Sequence, residues 1–460
     1  MPTKTRKSTT AKPKRSHSYD AVTSKGKRRA APAMLRSEDR ELSPDERRKL
    51  ISLQRDVQRN FAIAAWAIRQ HLNYITTFSF QAKTGNEALD DRLESLVNDN
   101  WSKAENCDIA ARHPLRRIVR LAEARRCVDN DCGLLKLSSG HIQAIEGDRI
   151  KSPLGFDRNI VHGVQVNDAG RALAYAVCRR GDAANSFIFE RMVPAKNLYL
   201  HAHYDRFDAV RGVSPLTAGL NTLRDVYEGF DLALAKLKCS QLFGLSIYRD
   251  AAEGFATEGD EDSGYSVDFG KGPILLELEP GSRAEFLESK SPAIEQQQFF
   301  QLMIQIALKS LDIPYSFFAE NYTNYSGARQ AFLQYEQAAD VKRADIRDML
   351  DHLTAWRLGL YIQDGELPGV RPEQLRWEWV HRGLPWLDPL KEIQAEIQAI
   401  DAGLDNPEDI AQRHGKNFYE NIDKIAACRQ YAASKGVNLS TISTVTITED
   451  KNETETQQAA

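Results

Sequence analysis

The residue types best suited to hold a metal or move a proton gather in two places in this chain. Cys127 and Cys132 stand near His113 and His141, and two further histidines fall in the run His201-Ala202-His203-Tyr204-Asp205. A zinc site needs three or four thiolate, imidazole or carboxylate donors, usually with short, regular ligand spacing. The first group matches no common spacing and reads as a helix running into a strand, so buried thiols are favoured there over a metal site. In the second, a strand would put both imidazoles on one face, but no third donor lies nearby, which favours a structural or surface role. No metal and no cofactor is expected.

The phosphate-binding loop G-x-x-x-x-G-K-[ST] is absent, as are H-E-x-x-H, G-x-S-x-G and a paired-carboxylate motif, so an ATP-driven motor has no support. A Cys or Ser nucleophile with a distant His stays open, because such partners meet only in the fold. The reading adopted is a protein that is not an enzyme.

Those residues must be positioned by a substantial fold. The chain has 460 residues, 42% of them hydrophobic and 8% aromatic, enough apolar surface for two to four domains. No stretch approaches the roughly 18 apolar residues of a membrane helix and the start is basic and polar, so a soluble intracellular product without a membrane partner is expected. The six cysteines lack C-x-x-C spacing, and reduced thiols are the expectation.

The formal net charge of −3 hides an asymmetry: residues 1–36 carry eleven Lys and Arg against Asp20 alone, so the rest of the chain is acidic. Duplex DNA is gripped by Lys and Arg that displace condensed counterions, and an acidic body is not built for that. The arm has the composition of a mobile segment, either a solubilising tail or a tether to nucleic acid or another component.

Folded structure is expected from Ser43-Pro44-Asp45, a helix start followed by Leu50, Leu53, Val57, Phe61, Ala64 and Ile68 at helical spacing. Further helices are expected over 86–101 and 115–126. Short β-prone runs follow at 134–137, 142–145, 160–166 and 172–177, separated by turn residues, so the class is α+β. A proline-free helix is expected over 215–242, an acidic Gly-rich segment with a strand at 274–278 over 245–290, and helices over 292–311 and 326–360. Short capped helices should occupy 389–436, with a polar tail beyond 437.

Several segments, taken in order, resemble the lambda-type portal family of tailed bacteriophages. They are Tyr19-Asp20-Ala21, Arg55-Asp56-Val57-Gln58-Arg59-Asn60, the stretch from Trp101 to Cys107-Asp108, Ile145-Glu146-Gly147-Asp148-Arg149-Ile150 and His162-Gly163-Val164. The series continues with Arg211-Gly212-Val213-Ser214-Pro215-Leu216, Glu279-Pro280-Gly281, Asn324-Tyr325-Ser326-Gly327-Ala328-Arg329 and Pro385-Trp386-Leu387-Asp388-Pro389. Two departures are Gly327, where a second Ser is common, and the region of Asp131-Cys132-Gly133, which lacks the family's Gly-Glu pair.

The resemblance implies a portal fold: a dodecameric ring with an α/β wing, a two-helix stem, a small β-containing clip, a long wing helix and a helical crown. Laid on this chain, the arm would span 1–42, the wing 43–213, the first stem helix 214–243, the clip 244–290 and the second stem helix 291–312. A tunnel loop would span 313–326, the rest of the wing 327–389, the crown 390–436 and a tail 437–460. The implied function is a head-tail connector at the capsid vertex through which double-stranded DNA is packaged and ejected. Implied partners are the large terminase subunit, capsid and head-tail adaptor proteins, and DNA in transit, bound without sequence preference. The implied location is the virion, with assembly in the host cytoplasm. The DNA-facing residues would be Glu320, Asn321, Tyr322, Thr323, Asn324 and Tyr325, and the family-motif residues Gly212, Ser214, Pro215, Ser326 and Arg329. The alternative is a different capsid or tail adaptor ring.

Overall fold

A computed structural model of the chain describes residues 36–153, 160–183, 186–241, 245–249, 282–286, 294–320, 325–381 and 389–437. The basic arm up to residue 35, most of 244–290, residues 321–324, residues 385–388 of the last family-like segment and the tail beyond 437 lie outside the described residues.

After a single turn, α1 (Glu38–Glu41), the helix α2 (Pro44–Asn60) opens on a reciprocal capping box. Glu46 N–H donates to the Ser43 hydroxyl at 3.3 Å, Ser43 N–H donates to the Glu46 carboxylate at 2.9 Å, and Pro44 has no N–H to leave unsatisfied. Helix α3 (Ala62–Ile75) follows, then β1 (Phe78–Ala82) and α4 (Glu87–Glu94). The single α-helix expected over 86–101 instead widens into a π-helical segment, Ser95–Trp101, and this looser turn brings Leu96, Val97 and Trp101 into the core.

A short α5 (Ala104–Cys107) leads to α6 (Leu115–Asp129), whose Leu115, Ile118, Val119 and Ala122 are buried as their spacing predicts. The next elements are β2 (Asp131–Lys136), β3 (Ile142–Glu146), β4 (Ile160–Val161), β5 (Val164–Val166), β6 (Ala172–Arg180), β7 (Phe187–Pro194) and β8 (Leu198–Ala202). The single strand expected over 160–166 is a hairpin. Val161 pairs with Val164 across His162 and Gly163, which hold φ of 49° and 85°, the left-handed conformation a tight two-residue turn needs. A Cβ on Gly163 would stand 2.5 Å from the Lys151 nitrogen.

Strands β3, β2 and β8 form one antiparallel sheet in that order, and β4 to β7 form a second. Leu135, Ile145, Ile150, Val164, Tyr175, Val177, Val193 and Leu198 fill the space between them.

The expected stem helix opens as a 3-10 turn, Pro215–Gly219, before α7 (Leu220–Gln241). An antiparallel pair, β9 (Leu245–Arg249) and β10 (Ser282–Phe286), precedes α8 (Ile294–Leu308), which returns along α7. Gly229 sits where a Cβ would press to 2.5 Å from the Phe300 ring, so its lack of a side chain permits the close approach of the two helices. Beyond α9 (Tyr315–Ala319), α10 (Tyr325–Gln363) runs 39 residues, and its Ala339, Ile346, Met349, Leu350, Leu353 and Leu358 join the main core beside α3 and α6. Strand β11 (Trp377–His381) then pairs antiparallel with β1. Helices α11 (Pro389–Asp401), α12 (Pro407–Arg413) and α13 (Phe418–Ser434) complete the described chain. Among the described residues, no helix is long and apolar enough to cross a membrane.

Candidate functional site at the start of α7

The segment Arg211-Gly212-Val213-Ser214-Pro215 joins the sheets to the 3-10 turn that opens α7, and its polar groups are consumed there. Arg211, 1% exposed, donates to Asp131 through Nε at 2.7 Å and through Nη2, and to the carbonyls of Ile150, His162 and Gly147 at 2.7 to 2.9 Å. Arg47, from α2, donates to the same Asp131 at 2.9 Å and to the Gly212 carbonyl at 2.6 Å. Against the cost of burial, the guanidiniums of Arg211 and Arg47 hold the Asp131 carboxyl below its ordinary range. Burial, reinforced by the neighbouring Arg211, brings Arg47 down to about 10.

Gly212 fits because a Cβ would meet the Asn130 carbonyl oxygen at 2.6 Å and the His203 nitrogen at 2.8 Å. Ser214 N–H donates to the Asn130 side chain at 2.8 Å, the Ser214 hydroxyl donates to the Cys127 carbonyl, and that hydroxyl also accepts the Leu216 N–H at 3.1 Å. Ser214 is thus the N-cap of the 3-10 turn, with Pro215 at its first position. Asn130, between helix and strand, holds φ of 78°.

Two neighbouring ion clusters extend this junction. Arg55 forms a fork with Asp129 at 2.7 Å on both arms and reaches Glu146 at 3.2 Å. The buried Glu123 on α6 accepts from His71 and His201 at 2.9 Å each, while Arg126 donates to it at 2.7 and 3.0 Å and bridges to Asp345 of α10 at 2.8 Å. Although burial opposes ionisation, Arg126 and the hydrogen bonds from His201 and His71 hold the Glu123 carboxyl well below its ordinary range.

Family-like segments far apart in sequence therefore converge: Arg55 meets Glu146, and Arg211 meets His162 and Gly147. Glu123, Arg126 and Asp129 are site residues that the sequence does not single out, and Asp131 enters it only as part of a departure from the family pattern. Their signal was present, since Glu123 and Arg126 are charged residues set on the buried face of α6 among Ile118, Val119 and Ala122.

The two clusters of chemical residues come apart in the fold. His201 lies in β8 against Glu123, whereas His203 falls beyond the end of the strand and pairs with the exposed Asp205 at 3.2 Å. Burial pushes the thiols of Cys107 and Cys127 up to about 12 and that of Cys132 higher still, the opposite of what a nucleophile or ligand needs. The Cys132 thiol donates to the Ala122 carbonyl at 3.5 Å, and His141 contacts Ser139 and the Glu105 carbonyl at 3.0 Å each. Among the described residues, no group of three or more His, Cys, Asp or Glu could hold a metal ion.

The connection from α8 to α10, expected as loop over 313–326, contains α9, and Tyr325 and Ser326 already belong to α10. The reason is local: Pro314 precedes α9, and Phe317 anchors it among the rings of Phe332, Tyr335 and Tyr74 at 4.8, 5.3 and 5.8 Å. Lys342 of α10 donates to the Leu311 carbonyl at 2.7 Å and pairs with Asp312 at 2.9 Å, pinning the 3-10 turn that ends α8. Glu320 is exposed at φ of 51°, and Asn321, Tyr322, Thr323 and Asn324 lie outside the described residues. Arg329 is exposed on α10 in a groove shared with Glu392 and Glu396 of α11.

The chain matches the family model for the phage portal protein, lambda family, over residues 25–343. It is 25% identical over 366 residues to a protein described as a probable portal protein of Halomonas phage phiHAP-1, covering 71% of this chain and 68% of that relative. Among solved structures, a chain in the neck of an empty gene transfer agent particle, computed with C6 symmetry, gives a TM-score of 0.49 at 14% identity, over 80% of this chain and 94% of that one. A chain in the virion of the native gene transfer agent particle gives 0.47 at 14% identity, over 80% and 93%. With its family model matched from residue 25 to residue 343, the chain belongs to the lambda family of phage portal proteins.

Proposed function

We propose that this virion component closes into a ring, dodecameric as the family resemblance implies, through which double-stranded DNA enters the capsid and leaves it. The observation that carries the reading is the state of the stem. The base of α7 is locked into the wing through Ser214 and the buried Leu220, Leu223 and Val226, yet the helix pair leaves Leu232, Leu234, Phe299, Leu302 and Ile306 exposed. A monomer rarely leaves so much apolar side chain in solvent, and a closed ring of heterologous contacts would cover it.

Residues 320–325 would face the DNA. Their sequence contains Glu320 and no Lys or Arg, so contacts with phosphate would be uncharged or repulsive and the duplex would not stall. The large terminase subunit would dock at 244–290 during packaging and give way to head-tail adaptors, with assembly in the host cytoplasm. A different adaptor ring would share the stem exposure but would not bind terminase through that segment.

Negative-stain images of the purified chain should show rings with a central channel. Only monomers and small irregular species at all concentrations would refute the ring. Introducing Asn321→Lys with Asn324→Lys should slow or block packaging while rings still form, and normal packaging by that variant would remove the loop from the channel.

A further inference from the structure

The guanidiniums around Asp131 and Glu123 are spent on carboxylates, whereas those at the start of α6 are not. Arg116 and Arg117 are exposed and have no ion-pair partner among the described residues, and Arg120 reaches only the neutral amide of Asn73, at 2.9 Å. Arg112, just before α6, and Arg69, one turn before Asn73 on α3, are likewise exposed and unpaired among the described residues. Cations gathered in this way repel one another until something anionic covers them.

A second observation is independent of charge. Arg116, Arg117 and Arg120 line a cleft of about 630 Å³ between the end of α3, the π-helical segment and α6, and among the described residues no carboxylate lines it. Its inner wall is apolar, formed by the buried Val97, Val119 and Trp379 and the half-buried Phe78. Rim and wall ask for two chemistries in one occupant: anionic oxygens for the guanidiniums and aliphatic side chains for the wall. Duplex DNA brings phosphates to the rim but nothing aliphatic to the wall, so the cleft fits an acidic peptide with apolar residues beside its carboxylates.

The same chain contains such a segment. Residues 438–460 place Val445 and Ile447 directly before Glu449 and Asp450, with Glu453 and Glu455 beyond and Lys451 as the one cation. In an extended peptide Val445, Ile447 and Glu449 share one face. The reach is short. Asn98 lines both this cleft and the pocket at the start of α13, which also holds Asn417 and Glu420. The 17 residues of α13 carry the chain away by about 26 Å, and the stretch from Val437 to Glu449 spans about 40 Å when extended, enough to double back. We propose that the cleft between α3 and α6 is the docking site of the acidic C-terminal segment 438–460. Docking sets Val445 and Ile447 against the apolar wall and Glu449 and Asp450 on Arg116 and Arg117, which fastens the end of the polypeptide to the α3–α6 face. This inference is independent of the channel reading, because it requires neither a ring nor DNA.

Photo-cross-linking of the full-length protein, with p-benzoylphenylalanine in place of Ser443 and peptide mass spectrometry as the readout, tests it. Links to the peptides that carry Phe78, Val97 or Val119 are expected. Arg116→Glu with Arg117→Glu should reduce those links roughly tenfold, the worth of two exposed ion pairs. The control Arg171→Glu, an exposed arginine beside the turn before β6, should leave them unchanged. Glu449→Arg with Asp450→Arg, which alters only the tail, should cause the same loss and so decides the matter even if the cleft variant does not fold. Combining the two reversals should restore the links. Links scattered over the whole surface, links that survive both reversals, or a combined variant without rescue would overturn the proposal. Absent links, together with duplex DNA binding that the cleft reversal abolishes in a gel-shift assay, would assign the cleft to phosphate instead.

Discussion

At the junction before α7, Asp131 has no exposed side-chain surface and is met by two guanidiniums, whereas on α7 Leu232 keeps 72% of its surface in solvent and on α8 Leu302 keeps 51%. The junction buries charge that a monomer would rather leave in water, and the α7–α8 pair exposes side chains that a monomer would rather bury. Both run against the usual sorting of residues, but for different reasons. A buried ion pair adds little net stability over an apolar replacement, yet removal of one partner is severe, so such a cluster favours one arrangement of the elements it joins. Exposed apolar surface adds nothing to the subunit alone and becomes favourable only when a neighbour covers it. The junction around Asp131 is therefore satisfied within one chain, whereas the outer faces of α7 and α8 would be covered only in the proposed ring.

The largest effect on the isolated subunit should come from Asp131→Ala, which leaves Arg47 and Arg211 buried without their shared carboxylate. A loss of about 3 to 5 kcal/mol is expected, read as a lowered denaturation midpoint, and a change below about 1 kcal/mol would mean the junction is not organised by this pair. Gly212→Ala follows at about 1 to 3 kcal/mol, because the added methyl meets main-chain atoms of Asn130 and His203 that have little room to move.

Acid should weaken the folded subunit as well. His381 is pushed down to about 3 by burial and by Arg343 and Arg347, and burial likewise lowers His71. The folded state then binds fewer protons than the unfolded chain, so stability present above an unfolded value of about 6.5 is lost as pH falls toward the folded values. The melting temperature should drop between pH 7 and pH 5, and His381→Phe should flatten that slope. An unchanged slope would remove His381 from the account.

Ser43→Ala, which deletes one half of the α2 capping box, should cost about 1 kcal/mol in the same denaturation experiment. The smallest effect on the subunit is expected from Leu232→Ser with Leu302→Ser, within about 0.5 kcal/mol, since neither side chain is buried. The same variant should lose rings in negative-stain images. If it assembled normally, the faces of α7 and α8 would not be the surfaces that join subunits, and the contrast between the two regions would fail on that side.

Much of the helical content was legible from local pattern. The periodic runs at Leu50, Leu53 and Val57 and at Leu115, Ile118 and Val119 became α2 and α6, and Ser43-Pro44 and Asn406-Pro407 mark helix starts as their types require. Strands β1 and β11 were not anticipated, because Phe78 pairs with His381 about three hundred positions away and neither short run announces a partner. The hairpin at His162-Gly163 was read as continuous strand, since only the close approach of Lys151 requires the turn there.

From sequence alone came the α+β class, the charge asymmetry between arm and body, and the family-like segments, because these are carried by composition, periodicity and order along the chain. The tertiary structure alone decided that His201 meets Glu123 rather than His203, that Arg211, Arg47 and Asp131 share one buried site, and that the connection after α8 is anchored by Phe317 and Lys342. The physical reason is that ion pairs and aromatic contacts depend on distances across the fold, which periodicity along one element does not specify.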